Sequence, residues 1–350
     1  MTDPSRRARY DPVEPLLAAG HPALTWSVQH DLLGRPLDAR ELWHLPPVRL
    51  AERAQNPDGS WTYHGGRAAV RSREDYGQLA TYQQLLVLVS QYRLDRRHPI
   101  VERAAEHVLS LQRPEGDIRG IYGSQYTPNY TADLLRLLIE AGYPDDARVL
   151  AGMRWLLSVR QDDGGWAVPA RTLPGLPLTR TLRLPSPVEP DRSRPSSHLI
   201  TGIVLRAFAA HPSLRRRVEA RAAATLLCGR FFKPDAYPDR RSASYWTKLA
   251  FPFRWTDVVS ALDTVALIGL GAAQPDVARG LDWVREHQLA NGLWRCGYPN
   301  SPDPLAGHWV SFAAARMLCR FYGTFRRPVR TRALVPGDGV APRVEVARVR

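Results

Sequence analysis

The chain has 350 residues, 44% of them apolar, enough for one large core or two small ones, and it contains no apolar run long enough to cross a membrane as a helix. Its formal charge of +14 comes almost wholly from arginine, since Lys233 and Lys248 are the only lysines. With no reader motif and no aromatic-interleaved basic stripe, the charge reads as a solvated basic surface, not a nucleic-acid site. Three cysteines, Cys228, Cys296 and Cys319, are odd in number and too widely spaced for a zinc knuckle, so they read as free thiols in a reducing compartment.

The first residues, MTDPSRRARYDPVE, hold no apolar segment of the signal-peptide kind, and a cytoplasmic location is expected. Residues 13–47 should form two or three short helices broken by Pro15, Pro22, Pro36, Pro46 and Pro47, with Trp26, Val28 and Leu32 of WSVQHDLLG as packing residues. His30 and Asp31 are adjacent, and neighbours on a helix point apart, so they are not expected to work as an acid–base pair.

A short phrase then recurs. Gln55, Gly59 and Trp61 stand in QNPDGSW; Gln112, Gly116 and Ile118 in QRPEGDI; Gln161, Gly164 and Trp166 in QDDGGW; Gln288, Gly292 and Trp294 in the last copy. The first two intervals between glutamines are 57 and 49 residues, a period of stacked helical repeats; the third, 127, fits two repeats plus an insertion. The missing copy belongs near CGRFFKPDAY, Cys228 to Tyr237, which has lost both Gln and Trp. Each unit reads as an outer helix, a turn and an inner helix. The last begins with DVARGLDWVREHQ, apolar at Val277, Leu281 and Val284, and ends in HWVSFAAARMLCRFY, apolar nearly all round. In the turn, Gly allows a tight reversal, the Gln amide can bond open backbone groups at a helix end, and the Trp can cover that end.

These copies resemble the Gln-Trp repeats of squalene-hopene and oxidosqualene cyclases, and the hairpin period is similar to that of protein prenyltransferase beta subunits. The resemblance runs from about Pro47 to Tyr322. It implies an all-α, α/α toroid of five to six helical hairpins, with inner helices around a central cavity. On that plan residues 1–46 close the ring, 47–325 form it, 168–198 are a Pro-rich inserted loop, and 326–350 are a basic tail expected to be disordered. The inserted loop has proline at seven positions and is too long for an ordinary connection; it reads equally as a lid on the mouth or as a passive insertion.

Inner helices are expected to begin near Tyr76, Tyr130, His198, Thr256 and His308. If they run parallel, their starts converge on one mouth. Candidate substrate-binding residues there are Asp75, Tyr76, Tyr126, Asn129, Tyr130, His198, Trp255 and Trp309. Asp75, Asn129 and Asp257 are also good helix caps, a task that needs no ligand.

The resemblance is less complete for chemistry. Squalene-hopene cyclases protonate an alkene from the middle aspartate of an Asp-x-Asp-Asp-Thr motif; here Ser260-Ala261-Leu262-Asp263-Thr264 keeps only the last two residues, with Leu262 in the donor's place. Prenyltransferases hold zinc with an Asp-x-Cys step and a later His. Asp257 and His308 match, Val259 stands for the Cys, and Cys296 is the thiolate that could complete an Asp257, Cys296 and His308 site, although no cofactor is the simpler expectation. Asp257, His308 and Asp263 are the catalytic candidates, with Asp257 and His308 favoured. Asp263 lies six residues on, about 9 Å deeper on its helix. The expected protein is a monomeric terpene cyclase- or prenyltransferase-like enzyme taking an apolar, isoprenoid-type substrate, with a membrane surface as an open source of it. The other class is a non-catalytic toroid that binds a lipid or a partner protein.

Overall fold

The computed structural model describes residues 8–64, 73–120, 123–173, 175, 178–181 and 183–325. Among the described residues fourteen α-helices follow in chain order: α1 Val13–Ala18, α2 Pro22–Ser27, α3 Pro46–Arg53, α4 Arg73–Ser90, α5 Pro99–Ser110, α6 Pro128–Glu140, α7 Ala147–Ser158, α8 Pro169–Thr172, α9 Leu178–Thr181, α10 His198–Ala210, α11 Val218–Gly229, α12 Val258–Ile268, α13 Pro275–Glu286 and α14 Ala306–Tyr322. No strand occurs among the described residues, only isolated bridges such as Gln55 with Trp61 and Gln112 with Ile118. The protein is an all-α toroid.

Composition sorts the helices. In α12 every residue from Val258 to Val265 is buried, and in α10 every residue from His198 to Ala209, as expected for helices enclosed on all sides. By contrast α13 buries only Val277, Gly280, Leu281 and Val284, one stripe at helical spacing, and α5 shows the same one-sided burial. Proline at the first position opens α3, α5, α6 and α13, where its missing N–H costs no hydrogen bond.

The inner ring runs α4, α6, α10, α12, α14, each packed on the next, and α14 then meets α2 and the π-helical turn Val28–Leu32. Arg93, just past α4, pairs with Asp31 of that turn, and Phe325 N donates to Leu32 O at 2.9 Å. In space the tight pairs are inner helix with following outer helix: α4 with α5, α6 with α7, α10 with α11, α12 with α13. The Gln-Trp turn joins one such pair to the next. One sequence expectation is corrected here: the π turn widens the backbone enough for His30 Nδ1 to lie 2.7 Å from Asp31 Oδ1, so these neighbours do meet.

Each turn works in two directions. The indoles of Trp61, Trp166 and Trp294 donate to Ala51 O, Leu156 O and Val284 O at 2.9, 2.6 and 2.7 Å, closing carbonyls at the end of their own outer helix. The glutamines reach forward: Gln55 Nε2 to Ile100 O at 2.8 Å, Gln112 to Arg148 O at 2.8 Å, both at the start of the next outer helix. Gln288 Nε2 donates to Tyr10 O at 2.9 Å while its Oε1 accepts from Tyr10 N at 3.0 Å, so the last turn grips the first described residues. Gly292 has φ +83°, and a Cβ there would stand 2.5 Å from Asp11 O, which only glycine avoids. The degraded repeat near Cys228 recovers its tryptophan from further on: Trp246 packs edge-on to Phe231, ring centroids 5.1 Å apart, and donates to Lys233 O at 3.0 Å.

The inserted loop takes the place of an outer helix for Gln161, whose Nε2 donates to Asp191 O and Arg194 O at 2.8 and 2.9 Å. Gln125 holds it a second time, donating to Ser186 O at 2.9 Å and accepting from Val188 N at 3.0 Å. The expectation of a disordered tail at 326–350 lies outside the described residues.

Candidate functional site

Among the described residues, two cavities inside the ring are divided by the segment entering α12. Leu249 to Thr256 dips inward, tied at both ends. Arg206, inside α10, donates from Nη1 to Trp255 O at 3.0 Å and from Nη2 to Arg254 O at 3.3 Å. Asp257 caps α12: its Oδ1 accepts from Ser260 N at 2.8 Å, its own N–H donates to Ser260 Oγ at 2.9 Å, and its Oδ2 accepts from Ala250 N at 3.3 Å. Burial pushes this enclosed carboxyl up to about 6, against the lowering effect of the Ser260 and Ala250 N–H groups. The dipping segment carries Phe251 and Phe253, which pack edge-on with centroids 5.3 Å apart, and Phe251 forms part of the wall of both cavities.

The upper cavity, about 580 Å³, lies between this segment and the loop that leads into α14. Phe251, Pro252, Trp255, Pro299, Pro302 and Ala306 form its apolar wall with Val87 of α4, while Gln91, Arg254, Cys296, Tyr298, Asn300, Ser301 and Asp303 bring polar groups to it. Cys296 Sγ accepts from Tyr298 N at 3.4 Å, and Asp303 Oδ1 from Leu305 N at 2.8 Å. Trp255 is 39% exposed, unusual for an indole, and the Arg240 guanidinium stands 4.1 Å above its ring.

The lower cavity, about 360 Å³, is lined by the C-terminal halves of all five inner helices, which therefore run in one direction. Its charged wall is made of Arg93, Arg136, Arg206, Arg215, Arg316 and Arg320 with Asp95, Glu140 and Asp263. Asp263 is shared by two guanidiniums, Arg320 Nε at 2.6 Å and Arg316 Nη2 at 3.1 Å; these hold its carboxyl below the usual range against the opposing effect of burial. Asp133 is likewise shared by Arg206 at 3.3 Å and Arg136 at 3.6 Å, and takes the Tyr82 hydroxyl at 3.1 Å.

The sequence candidates disperse in this frame. Trp255 lines the upper cavity and Asp263 the lower one; Asp257 and His308 line neither. Asp257 is a helix cap and a loop tie, and His308 sits in the first turn of α14, half-buried. Trp309 is buried in an aromatic cluster with His21, Phe251 and Phe312. His198 lies on Trp246, centroids 4.5 Å apart, with Nδ1 3.5 Å from Asp235; burial lowers its pKa, opposed by Asp235, which itself caps α10 through Ser197 Oγ and Leu199 N. Tyr126 packs on Trp155, Tyr130 on Tyr82, and Tyr76 on Tyr63. Asn129 Oδ1 is buried without a hydrogen-bond partner. The side chain of Asp75 lies outside the described residues. Among the described residues no three His, Cys, Asp or Glu side chains converge as metal ligands, so Asp257, Cys296 and His308 do not assemble a zinc site. Asp257 instead accepts from Ser260 N and Ala250 N, as cap and loop tie.

No family model matches the chain, and no curated protein does. Among solved structures it is similar to the type II terpene cyclase MstE from Scytonema, at 12% identity over 80% of this chain and 96% of that one, TM-score 0.33. It is also similar to a protein from Actinoplanes, at 16% identity over 81% and 99% with TM-score 0.29, and to a polysaccharide lyase, at 13% identity over 88% and 94% with TM-score 0.46. MstE structures include a complex with geranylgeranyl dihydroxybenzoate as substrate. Likenesses at this level assign no reaction to this chain.

Proposed function

We propose that this toroid binds an apolar, isoprenoid-type small molecule in the upper cavity, and that it does not start a cyclisation by protonating an alkene from Asp263. The observation that carries the reading is the cavity itself: about 580 Å³, with an apolar wall of Phe251, Pro252, Trp255, Pro302 and Ala306 and a polar side of Gln91, Arg254, Asn300, Ser301 and Asp303 that can orient a ligand's head. The Gln-Trp resemblance supports the ligand class. Against alkene protonation stands the setting of Asp263, held ionised between Arg316 and Arg320, whereas such an acid must carry its proton.

Non-catalytic binding is favoured over turnover by a second observation. Asp257, whose raised pKa would suit proton transfer, has both oxygens engaged and lines neither cavity. A fluorescence titration with a fifteen-carbon prenyl alcohol tests the reading, the part of Trp255 among ten tryptophans being taken as the difference from Trp255→Phe. Saturable quenching is expected in the wild type, and its loss in Ala306→Trp, which fills the cavity while α14 stays helical by circular dichroism. Unchanged quenching in that variant, or none in the wild type, rejects the site.

A further inference from the structure

We propose that the lower cavity is a second, separate binding site, for a multiply charged oxyanion such as a phosphate or diphosphate group. Charge is the first argument. Six guanidiniums line the cavity, and the carboxylates that touch them are four: Asp31 on Arg93, Asp133 on Arg206 and Arg136, Glu140 on Arg136, and Asp263 on Arg316 and Arg320. Asp95 also lines the cavity but is paired on its outer side with Arg97 at 2.6 Å. Two positive charges are left over, and the Arg215 guanidinium makes no ion pair among the described residues.

The second argument is independent of the first. Arg93 Nε, Arg136 Nε and Nη2, Arg206 Nε and Arg316 Nε are buried and have no hydrogen-bond partner in the protein. Arg136 and Arg206 are only 4% and 5% exposed, so their spare donors can be met only from within the ring. Buried donors of this strength are normally satisfied, and here solvent or a ligand must do it. Arg316 is further crowded: Phe251, Phe253 and Phe312 stand 5.4, 5.8 and 5.5 Å from its guanidinium carbon, and burial with Arg320 and Arg93 nearby lowers its pKa, a pressure that an anion would relieve.

The helix ends do not defeat this. Carbonyl ends repel anions, but the effect is confined to the last turn, while Arg136, Arg206 and Arg316 sit four, four and six residues before their helix ends. Guanidiniums arriving from α6, α10 and α14 approach from several sides, which suits a tetrahedral oxyanion better than a planar carboxylate served by one fork. Val89, Leu94, Leu267, Phe251 and Phe253 complete the wall and leave an apolar side for a short hydrocarbon remainder.

Isothermal titration calorimetry of the full chain with inorganic diphosphate, at constant ionic strength, tests the site. One saturable equivalent is expected. Arg215→Ala and Arg320→Gln should each weaken it about tenfold, Asp263→Asn should tighten it, and Arg217→Ala, in a surface pair with Glu219, should leave it unchanged. Ala306→Trp should also leave it unchanged, which separates this site from the upper cavity. A five-carbon alkyl diphosphate binding more tightly than inorganic diphosphate would identify a phosphorylated hydrocarbon as the ligand; equal binding would identify the free oxyanion. Heats no greater than those of matched chloride, or equal affinity in Arg215→Ala and the wild type, would overturn the proposal. Should Arg320→Gln fail to fold, Arg215→Ala still decides, because its guanidinium supports no ion pair.

Discussion

Asp257 caps α12 and Asp263 lies within it, both buried, and their environments drive them in opposite directions. Asp263 gains two guanidiniums and stays ionised, so its contribution to stability is present above the ordinary carboxylate pKa and is lost as pH falls through its lowered value. Asp257 gains only N–H donors against a larger burial penalty. With its folded pKa raised to about 6, the native state binds the proton more tightly than the unfolded chain does, and stability falls as pH rises from about 4 through 6. Between pH 5 and pH 7 the wild type should therefore lose about 1.4 kcal/mol relative to Asp257→Asn. Urea unfolding of both proteins at the two pH values checks it; a difference independent of pH would show that Asp257 stays charged throughout. At this scale the sequence was a partial guide. Asp257 was legible as a cap, but nothing in Leu262-Asp263-Thr264 reveals that Arg316 and Arg320, more than fifty residues on, claim the carboxylate.

The Gln-Trp turn is the element that the sequence shows most clearly, because its spacing is local and its bonds are fixed by that spacing. Each indole reaches a carbonyl ten residues back, so the period of the motif and the end of the outer helix are one fact. What the glutamine holds was not legible, since its partner is the next outer helix or, in the last copy, Tyr10 at the other end of the chain. Gln288→Leu removes both bonds to Tyr10 and the one to Gly292 O, and should cost about 1–3 kcal/mol. Amide exchange at Tyr10 should accelerate with it. Exchange unchanged at Tyr10, with stability lost elsewhere, would mean the turn does not secure the ring's closure.

The inserted loop belongs at the same scale. Its proline content reads as irregular chain, yet Gln125 and Gln161 tie its second half to the turns beside it. Gln125→Leu strands Ser186 O and Val188 N, and trypsin should then cut faster at Arg183, which is exposed in the native protein. Equal cleavage rates in variant and wild type would show that those two bonds do not hold the loop.

The whole molecule is a ring whose interior is divided. Apolar helices with one-sided and all-round patterns dictate inner and outer layers, and that much follows from sequence periodicity. The contents of the ring do not. Arg136 interrupts LLRLLIE, Arg206 interrupts IVLRAFAA and Arg316 interrupts FAAARMLC, so a guanidinium sits inside an apolar stretch of each of three inner helices. In a chain so rich in arginine, that signal does not stand out from surface composition. The aromatic segment that separates the cavities is hidden for another reason: Phe251 and Phe253 lie in a loop without periodicity, and the bonds that fold it inward come from residues distant in sequence or beyond its end, Arg206, Asp257 and Gly297 among them.

The division also bears on function. A ring open from end to end would suit a long hydrocarbon; this one offers an apolar chamber of about 580 Å³ above Phe251 and an arginine-walled one of about 360 Å³ below. The most direct test of the account is a crystal structure of the protein grown with a fifteen-carbon prenyl alcohol. The account requires the hydrocarbon against Phe251, Trp255 and Ala306, with the arginine chamber free of it. Hydrocarbon density among Arg136, Arg206 and Arg316, or only on the outer surface of the ring, would contradict it.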